Sequence, residues 1–144
     1  MAVWNDAVLS TSDSIARFED NINSLTPSDW DDKISVAKQL IGDYIELELT
    51  QRGIRVDEAE GDVLLDVIAN PTIFSTSSDY LTLSLIFEDL SKGAEEGMRV
   101  VKAKYYFDKY KNKINDDMRR INLDTNLDGE ADIRRVNWQG MLSR

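Results

Sequence analysis

Two residue types with special chemistry are missing from this chain of 144 residues. It contains no cysteine and no histidine. Without cysteine the chain can form no disulfide and offers no thiolate nucleophile. The absence of cysteine is compatible with every redox compartment, so it does not indicate where the protein is located. Without histidine the chain lacks the commonest general base and the commonest metal ligand. Any catalysis would have to rest on carboxylates, lysine, tyrosine, serine or threonine.

Long apolar runs and targeting signals are also lacking. No stretch approaches the roughly 20 consecutive apolar residues that span a bilayer. The opening MAVWNDAVLSTSD has neither the basic n-region nor the apolar h-region of a signal peptide. A chain of this length is typical of one domain and can bury a core without disulfides or metals. The sequence therefore predicts a soluble protein that is made and used inside a cell.

The charge is acidic and unevenly distributed. The formal net charge is −10, which argues against general nucleic-acid binding, because neutralising phosphates requires surplus lysine and arginine. Residues 1–100 hold 20 acidic and 7 basic side chains, whereas residues 101–120 hold 7 basic and 3 acidic ones. Two interpretations stay open. Oppositely charged regions allow the molecule to dock on copies of itself, and a basic helix face is also an ordinary solvated surface.

Periodic apolar residues predict an all-α fold, a helical bundle of about four to five helices. A short helix is expected near Thr11–Glu19. The first long helix is expected to begin at Thr26, with Pro27 in its first turn, and to end at Gly53. Its predicted buried stripe is Trp30, Ile34, Ala37, Ile41, Tyr44, Ile45 and Leu49.

Three further helices are expected after Gly53. The second is predicted to begin at Asp57 and to stop before Pro71. The serine-rich segment 75–79 is predicted to cap a central buried helix over Tyr80–Phe87, with a strand as the less favoured alternative. The last helix is predicted over 94–120. Its expected buried stripe is Met98, Val101, Ala103, Tyr105, Phe107, Tyr110, Ile114 and Met118.

The end of the chain is predicted to lie outside the bundle. We expect a bundle domain over residues 1–121, followed over 122–144 by an Asp/Gly turn and an extended C-terminal arm. The arm carries the apolar side chains Trp138, Met141 and Leu142. Two interpretations stay open for them: they pack on the surface of another protein, or they fold back on their own bundle.

The Asp/Gly turn resembles the start of a calcium-binding loop. Such a loop has oxygen ligands at positions one, three, five and nine, and glycine at position six. The candidate metal ligands are Asp124, Asn126, Asp128 and Asp132. Position twelve, which should supply a bidentate carboxylate, is Arg135. The sequence therefore favours a structural turn without an ion over a weak calcium site, and it predicts no other cofactor.

No catalytic arrangement is recognisable in the sequence. There is no nucleophile paired with a base, no phosphate-binding loop and no metal quartet. Glu46 and Glu48 face different sides of their helix, so they do not form an acid–base pair. The aromatic and lysine residues of segment 105–113 are open to two interpretations, a core stripe and a stacking surface for nucleic acid, of which the core is favoured. We therefore expect a protein that is not an enzyme.

The order of these segments resembles a known family. The segments VIANPTIF, SDYLTLSLIFEDLS and LDTNLDGEADIRR follow a long helix that opens with a Trp/Asp-rich turn. This arrangement, over residues 29–144, is similar to the head–tail connector proteins of tailed bacteriophages, also called neck adaptor or head completion proteins. Many members have an Asp/Gly turn of the form D-x-D-x-D-G before a short C-terminal arm. This chain departs from that turn at Asn126.

The resemblance implies a structural protein of the virion neck, assembled in the host cytoplasm. Family members form a homo-oligomeric ring, commonly a dodecamer of twelve copies, beneath the portal protein. The ring extends the DNA channel and presents a surface to the next neck or tail protein. DNA passes through the lumen without specific binding, and no membrane is involved. An acidic body agrees with such a channel, because like charge repels the phosphate backbone.

The resemblance also implies which residues bind partners. In the family the C-terminal arm reaches toward the portal. The expected contacts with the portal or a neighbouring subunit are Arg134, Arg135, Trp138, Met141 and Leu142. The alternative function is a cytoplasmic calcium-responsive helical module, which would need the loop from Asp124 to Asp132 as a ligand set.

Overall fold

The computed structural model describes residues 3–19, 22, 30–53, 64–91 and 97–124. Within these ranges the chain forms five α-helices and no strand, which confirms the predicted all-α fold. The helices are α1 Val3–Asp6, α2 Ser12–Ala16, α3 Asp31–Gln51, α4 Ser75–Ser91 and α5 Met98–Met118. Two 3-10 turns, Leu64–Val67 and Pro71–Phe74, lie between α3 and α4.

Helix α3 forms where the sequence predicts the first long helix. Its buried apolar side chains are Ala37, Ile41, Ile45 and Leu49. They recur at steps of four residues, so they lie on one side of the helix and face the core. Beyond its end, Gly53 has a φ of 77°, a left-handed conformation that favours glycine, and the predicted end is confirmed. The predicted start at Thr26 is wrong, because α3 begins at Asp31 and the backbone of Trp30 before it is not helical. Thr26 itself lies outside the described residues.

Helix α4 is the central element of the body, and it packs against both α3 and α5. Of the predicted buried helix Tyr80–Phe87, only Tyr80 and Leu85 are partly exposed. The helix is therefore confirmed, and the strand alternative is wrong. One apolar cluster joins α4 to α3, α5 and residues 65–74, and a second joins α4 to α2, α5 and Trp30.

The serine-rich segment 75–79 is not a helix cap, contrary to the prediction. The 3-10 turn Pro71–Phe74 runs directly into α4, so this segment forms the first turns of the helix itself. Proline suits such a start, because its φ is already close to the helical value and a first-turn N–H needs no partner. Ser77, Ser78 and Asp79 are buried there and bond to side chains of other elements.

The predicted second helix does not form over residues 64–70, the part of it that the structure describes. Leu64–Val67 is a single 3-10 turn, after which Ile68 pairs with Leu123 in an isolated antiparallel bridge. The Ala69 N–H donates to the Asn122 carbonyl (2.8 Å), and the Asp124 N–H donates to the Val67 carbonyl (2.6 Å). Because the backbone groups here bond to chain that follows α5, they are not available for a helix. Residues 57–63 lie outside the described part.

The chain after α5 is attached to the body as far as Asp124. Ile121 and Leu123 are fully buried in the larger apolar cluster. The Asn122 N–H donates to the side-chain oxygen of Asn70 at 2.8 Å. The described residues of the predicted 122–144 arm are thus paired with residues 67–70, and the rest of the arm lies outside the described residues.

Helix α5 buries a narrower face than the sequence predicts. The predicted Tyr110, Ile114 and Met118 are buried, and Tyr106 joins them although the predicted stripe omits it. The predicted Met98, Val101, Tyr105 and Phe107 are exposed. Each step along an α-helix turns the side chain by about 100°, so neighbours in an aromatic run point in different directions. The buried apolar side chains of α5 are the set with four-residue spacing.

Candidate functional site

Most of the predicted site residues lie outside the described part of the chain. Asn126, Asp128 and Asp132 of the predicted calcium loop fall there, and so do the partner-binding residues Arg134, Arg135, Trp138, Met141 and Leu142. Asp124 is described: it is buried, and its backbone N–H is bonded to Val67. The grouping of these residues therefore stays a prediction.

A fully buried carboxylate, Asp79, ties the N-terminal segment to α4. The hydroxyls of Ser10 and Ser14 each lie 2.7 Å from its Oδ1 atom, and the Arg17 guanidinium lies 3.5 Å from Oδ2. Burial raises the pKa of Asp79 above its ordinary value, although the serine hydroxyls and Arg17 act in the opposite direction. We call this group the Asp79 clasp.

The raised pKa of Asp79 predicts a pH effect on stability. A folded state that binds the proton more tightly than the unfolded state loses stability as pH rises through that window, from about 4 upward. Asp79→Asn should remove this loss, so the variant should gain stability relative to wild type between pH 4 and pH 7. Urea unfolding of both proteins at the two pH values measures the difference. Asp43→Asn, at an exposed position, is the matched charge control, and an equal gain there would contradict the assignment.

Two further carboxylates, the buried Asp117 and the partly buried Glu19, connect elements of the body. Asp117 on α5 accepts hydrogen bonds from Ser77 on α4 (2.6 Å) and from Lys113 (2.5 Å). Glu19 accepts hydrogen bonds from two residues of α5, from the Tyr106 hydroxyl at 2.7 Å and from Lys102 at 2.5 Å. Burial alone would raise the pKa of Glu19, but these two hydrogen bonds outweigh it and hold the pKa below its ordinary value. Burial and the Glu19 carboxylate raise the pKa of Tyr106.

The hydrogen bonds of these three carboxylates join different elements of the body. None of the three carboxylates lines a groove that the described residues form between α4 and α5. Over the described ranges, no three acidic side chains are grouped as a metal site would require. The groove itself has a volume of about 860 Å³ and lies between α4 and α5. Its walls mix the apolar Val100 and Phe107 with the charged Glu88 and Lys104.

The outward sides of α3 and α5 carry rows of exposed apolar side chains. We define the α3 outer face as Asp32, Val36, Leu40, Asp43 and Leu47, and the α5 outer face as Met98, Val101, Tyr105 and Lys109. The exposed fraction of the apolar members runs from 43% for Val36 to 69% for Met98. Single exposed apolar residues are normal on proteins, but rows along one side of a helix are typical of interaction surfaces.

Sequence periodicity contains a signal for two of the buried acids. Asp79 lies four residues before Leu83, and Asp117 lies three residues after Ile114, and both of these neighbours are buried. Helical spacing therefore places each acid on a core-facing side. Glu19 lies beyond the described end of α2, and only the tertiary arrangement brings it to Tyr106.

None of the helices in the described part combines the length and the hydropathy of a bilayer-spanning segment. No protein-family model, curated protein or solved structure matches this chain.

Proposed function

We propose that this chain is a structural assembly protein of the head–tail connector class of tailed bacteriophages. It docks as a ring beneath the portal and extends the DNA channel toward the tail. One observation carries the proposal. The body uses buried and partly buried carboxylates to hold its elements together, while two of its long helices turn rows of apolar side chains outward. Such a body is equipped to bind other protein chains through its surface.

Charge supports the same function. A net charge of −10 disfavours binding of the phosphate backbone, so DNA can slide through a ring of such chains without being held. Docking on the portal is assigned to the C-terminal segment, in which Trp138, Met141 and Leu142 supply apolar contacts and Arg134 and Arg135 supply positive charge. Together these residues can anchor the chain on a protein surface.

Co-sedimentation with the portal protein encoded in the same genome tests this proposal. Wild-type chain should sediment with the portal ring. Trp138→Ala combined with Arg134→Glu and Arg135→Glu should abolish co-sedimentation, because it removes the apolar anchor and reverses the local charge. Arg119→Glu with Arg120→Glu is the matched control, since both arginines are exposed on the body and the charge change is the same.

The outcomes separate the parts of the proposal. If the triple variant still binds the portal, the docking surface lies on the helical body. If wild-type chain neither binds the portal nor occurs in purified phage particles, the connector function is wrong. A calcium titration addresses the alternative function, because a calcium-responsive module needs the ion at Asp124–Asp132 and a connector does not.

A further inference from the structure

We propose that the α3 outer face of one copy binds the α5 outer face of the next copy. The inference rests on the proposed function for the ring, and it deepens that function by naming the surfaces through which copies meet. The contact itself is a property of the free chain and is measured without the portal.

The two faces have the geometry of helices that pack side by side. Along α3 the members of the outer face follow one another at steps of four, four, three and four residues, and along α5 at steps of three, four and four. This spacing keeps a row of side chains on one side of a helix, as in the seam of a coiled coil. Each helix has 21 residues and is therefore about 31 Å long, so either can support a contact over several turns.

The α3 outer face is acidic. Every exposed charged side chain of α3 is acidic, and these residues are Asp31, Asp32, Asp43 and Glu46. The cations of α3 are engaged elsewhere. Lys38 donates to the backbone carbonyls of Asn5 and Ala7, and Lys33 lies 3.8 Å from Asp89 of α4.

The α5 outer face lies on a basic helix. Helix α5 holds six basic and three acidic side chains. Lys109 lies over the exposed ring of Tyr105, 5.4 Å from its centroid, so the face combines an aromatic surface with positive charge. Two acidic residues of α5 are exposed: Asp108, which is paired with Lys111 at 3.4 Å, and Asp116, which lies near the C-terminal end of the helix beyond the α5 outer face.

Charge decides which faces meet. If two α3 outer faces met, carboxylates would lie against carboxylates. If two α5 outer faces met, lysine would lie against lysine. Both arrangements are repulsive. Pairing α3 with α5 joins unlike charges around apolar rows. Since the apolar side chains of both faces are exposed on one body, each copy offers both faces at once. A contact between different faces repeats from copy to copy, and it produces a ring if the rotation closes.

The contact should be weak in the free protein. A few side chains from one helix on each side bury less than the ~1,600 Å² of a standard interface. Copies that carry a net charge of −10 also repel one another. A template that holds copies next to each other raises their effective concentration, so the same contact then suffices for a ring.

Sedimentation equilibrium over a concentration series up to about 1 mM tests the inference, because weak contacts require concentrations near their Kd. One variant carries Leu40→Glu with Leu47→Glu, and the other carries Val101→Glu with Tyr105→Glu. Each alone should weaken self-association at least about tenfold, which is 1.4 kcal/mol. The control is Val8→Glu, an exposed apolar position on neither helix. Circular dichroism establishes that all variants are folded.

Mixing the two variants is the decisive measurement. Each variant keeps one intact face, so an equimolar mixture should form one-to-one dimers and nothing larger, whereas each variant alone stays monomeric. Wild-type chain that is monomeric throughout the series would overturn the inference, as would a mixture that stays monomeric. A single-stranded oligonucleotide that binds wild type and not the Val101/Tyr105 variant, without self-association, would instead assign the α5 face to nucleic acid. Binding of the wild-type chain to the portal is measured in a separate experiment. Absence of the contact between copies would therefore not contradict the proposed function.

Discussion

Replacing Trp30 with alanine is expected to lower the free energy of unfolding by about 3–5 kcal/mol, the usual cost of removing a buried aromatic side chain. Trp30 is 2% exposed and belongs to the cluster that contains Leu83, Ile86 and Phe87 of α4. Its indole N–H also donates to the Ile22 carbonyl at 2.9 Å. The variant therefore loses apolar contacts and leaves a buried carbonyl without this donor. Urea unfolding followed by circular dichroism measures the change.

Trp30→Phe is the control that separates packing from hydrogen bonding. It keeps an aromatic ring and removes the N–H, so the expected loss is about 1–2 kcal/mol. If Trp30→Ala costs less than about 1 kcal/mol, the cluster between α2, α4 and Trp30 does not form a stable core in solution. Trp30 lies just before α3, so this cluster also fixes where α3, and with it the α3 outer face, begins.

Replacing Lys113 with methionine is expected to cost about 3 kcal/mol. Asp117 is almost completely buried and lies 2.5 Å from Lys113, so the substitution leaves a buried carboxylate without its counter-charge. After the substitution, the Ser77 hydroxyl, at 2.6 Å, still donates a hydrogen bond to Asp117. Thermal and urea unfolding measure the loss.

A double variant tests the cause of that loss. Lys113→Met with Asp117→Leu removes both charges and keeps the volume apolar, so stability should return to within about 1 kcal/mol of wild type. Lys111→Met is the matched control, because its exposed pair with Asp108 contributes about 0.5 kcal/mol or less. If Lys113→Met behaves like Lys111→Met, the Lys113–Asp117 pair within α5 does not contribute to the stability of the fold.

The arrangement of polar groups has a consequence for the proposed assembly. The Asp79 clasp holds the N-terminal segment on α4, Glu19 holds that segment on α5, and Asp117 joins α4 to α5. The side chains of Asp79 and Asp117 are almost completely buried, and that of Glu19 is 15% exposed. The hydrogen bonds of these carboxylates do not involve the apolar side chains of the α3 and α5 outer faces, which stay exposed. Both faces are therefore available to neighbouring copies in the proposed assembly.

The local spacing of apolar residues was sufficient to predict the buried side of helices that have one clear apolar stripe. The stripe of α3, the left-handed Gly53 and the burial of Tyr80–Phe87 all follow from spacing and from glycine stereochemistry. Spacing failed on α5, because apolar and aromatic residues surround much of that helix. Burial of Tyr106 and exposure of Tyr105 depend on which side meets α4.

The amino-acid sequence by itself determined an acidic α-helical protein without cysteine or histidine chemistry, since composition and a 3.6-residue period are local properties. Only the tertiary structure decided three things. It turned residues 64–68 away from a helix by pairing them with the chain after α5, bonded the buried Asp79 to Ser10, and left the apolar rows on α3 and α5 exposed. Each depends on residues that are distant in sequence, and hydrogen bonding and burial between distant residues leave no period in the chain.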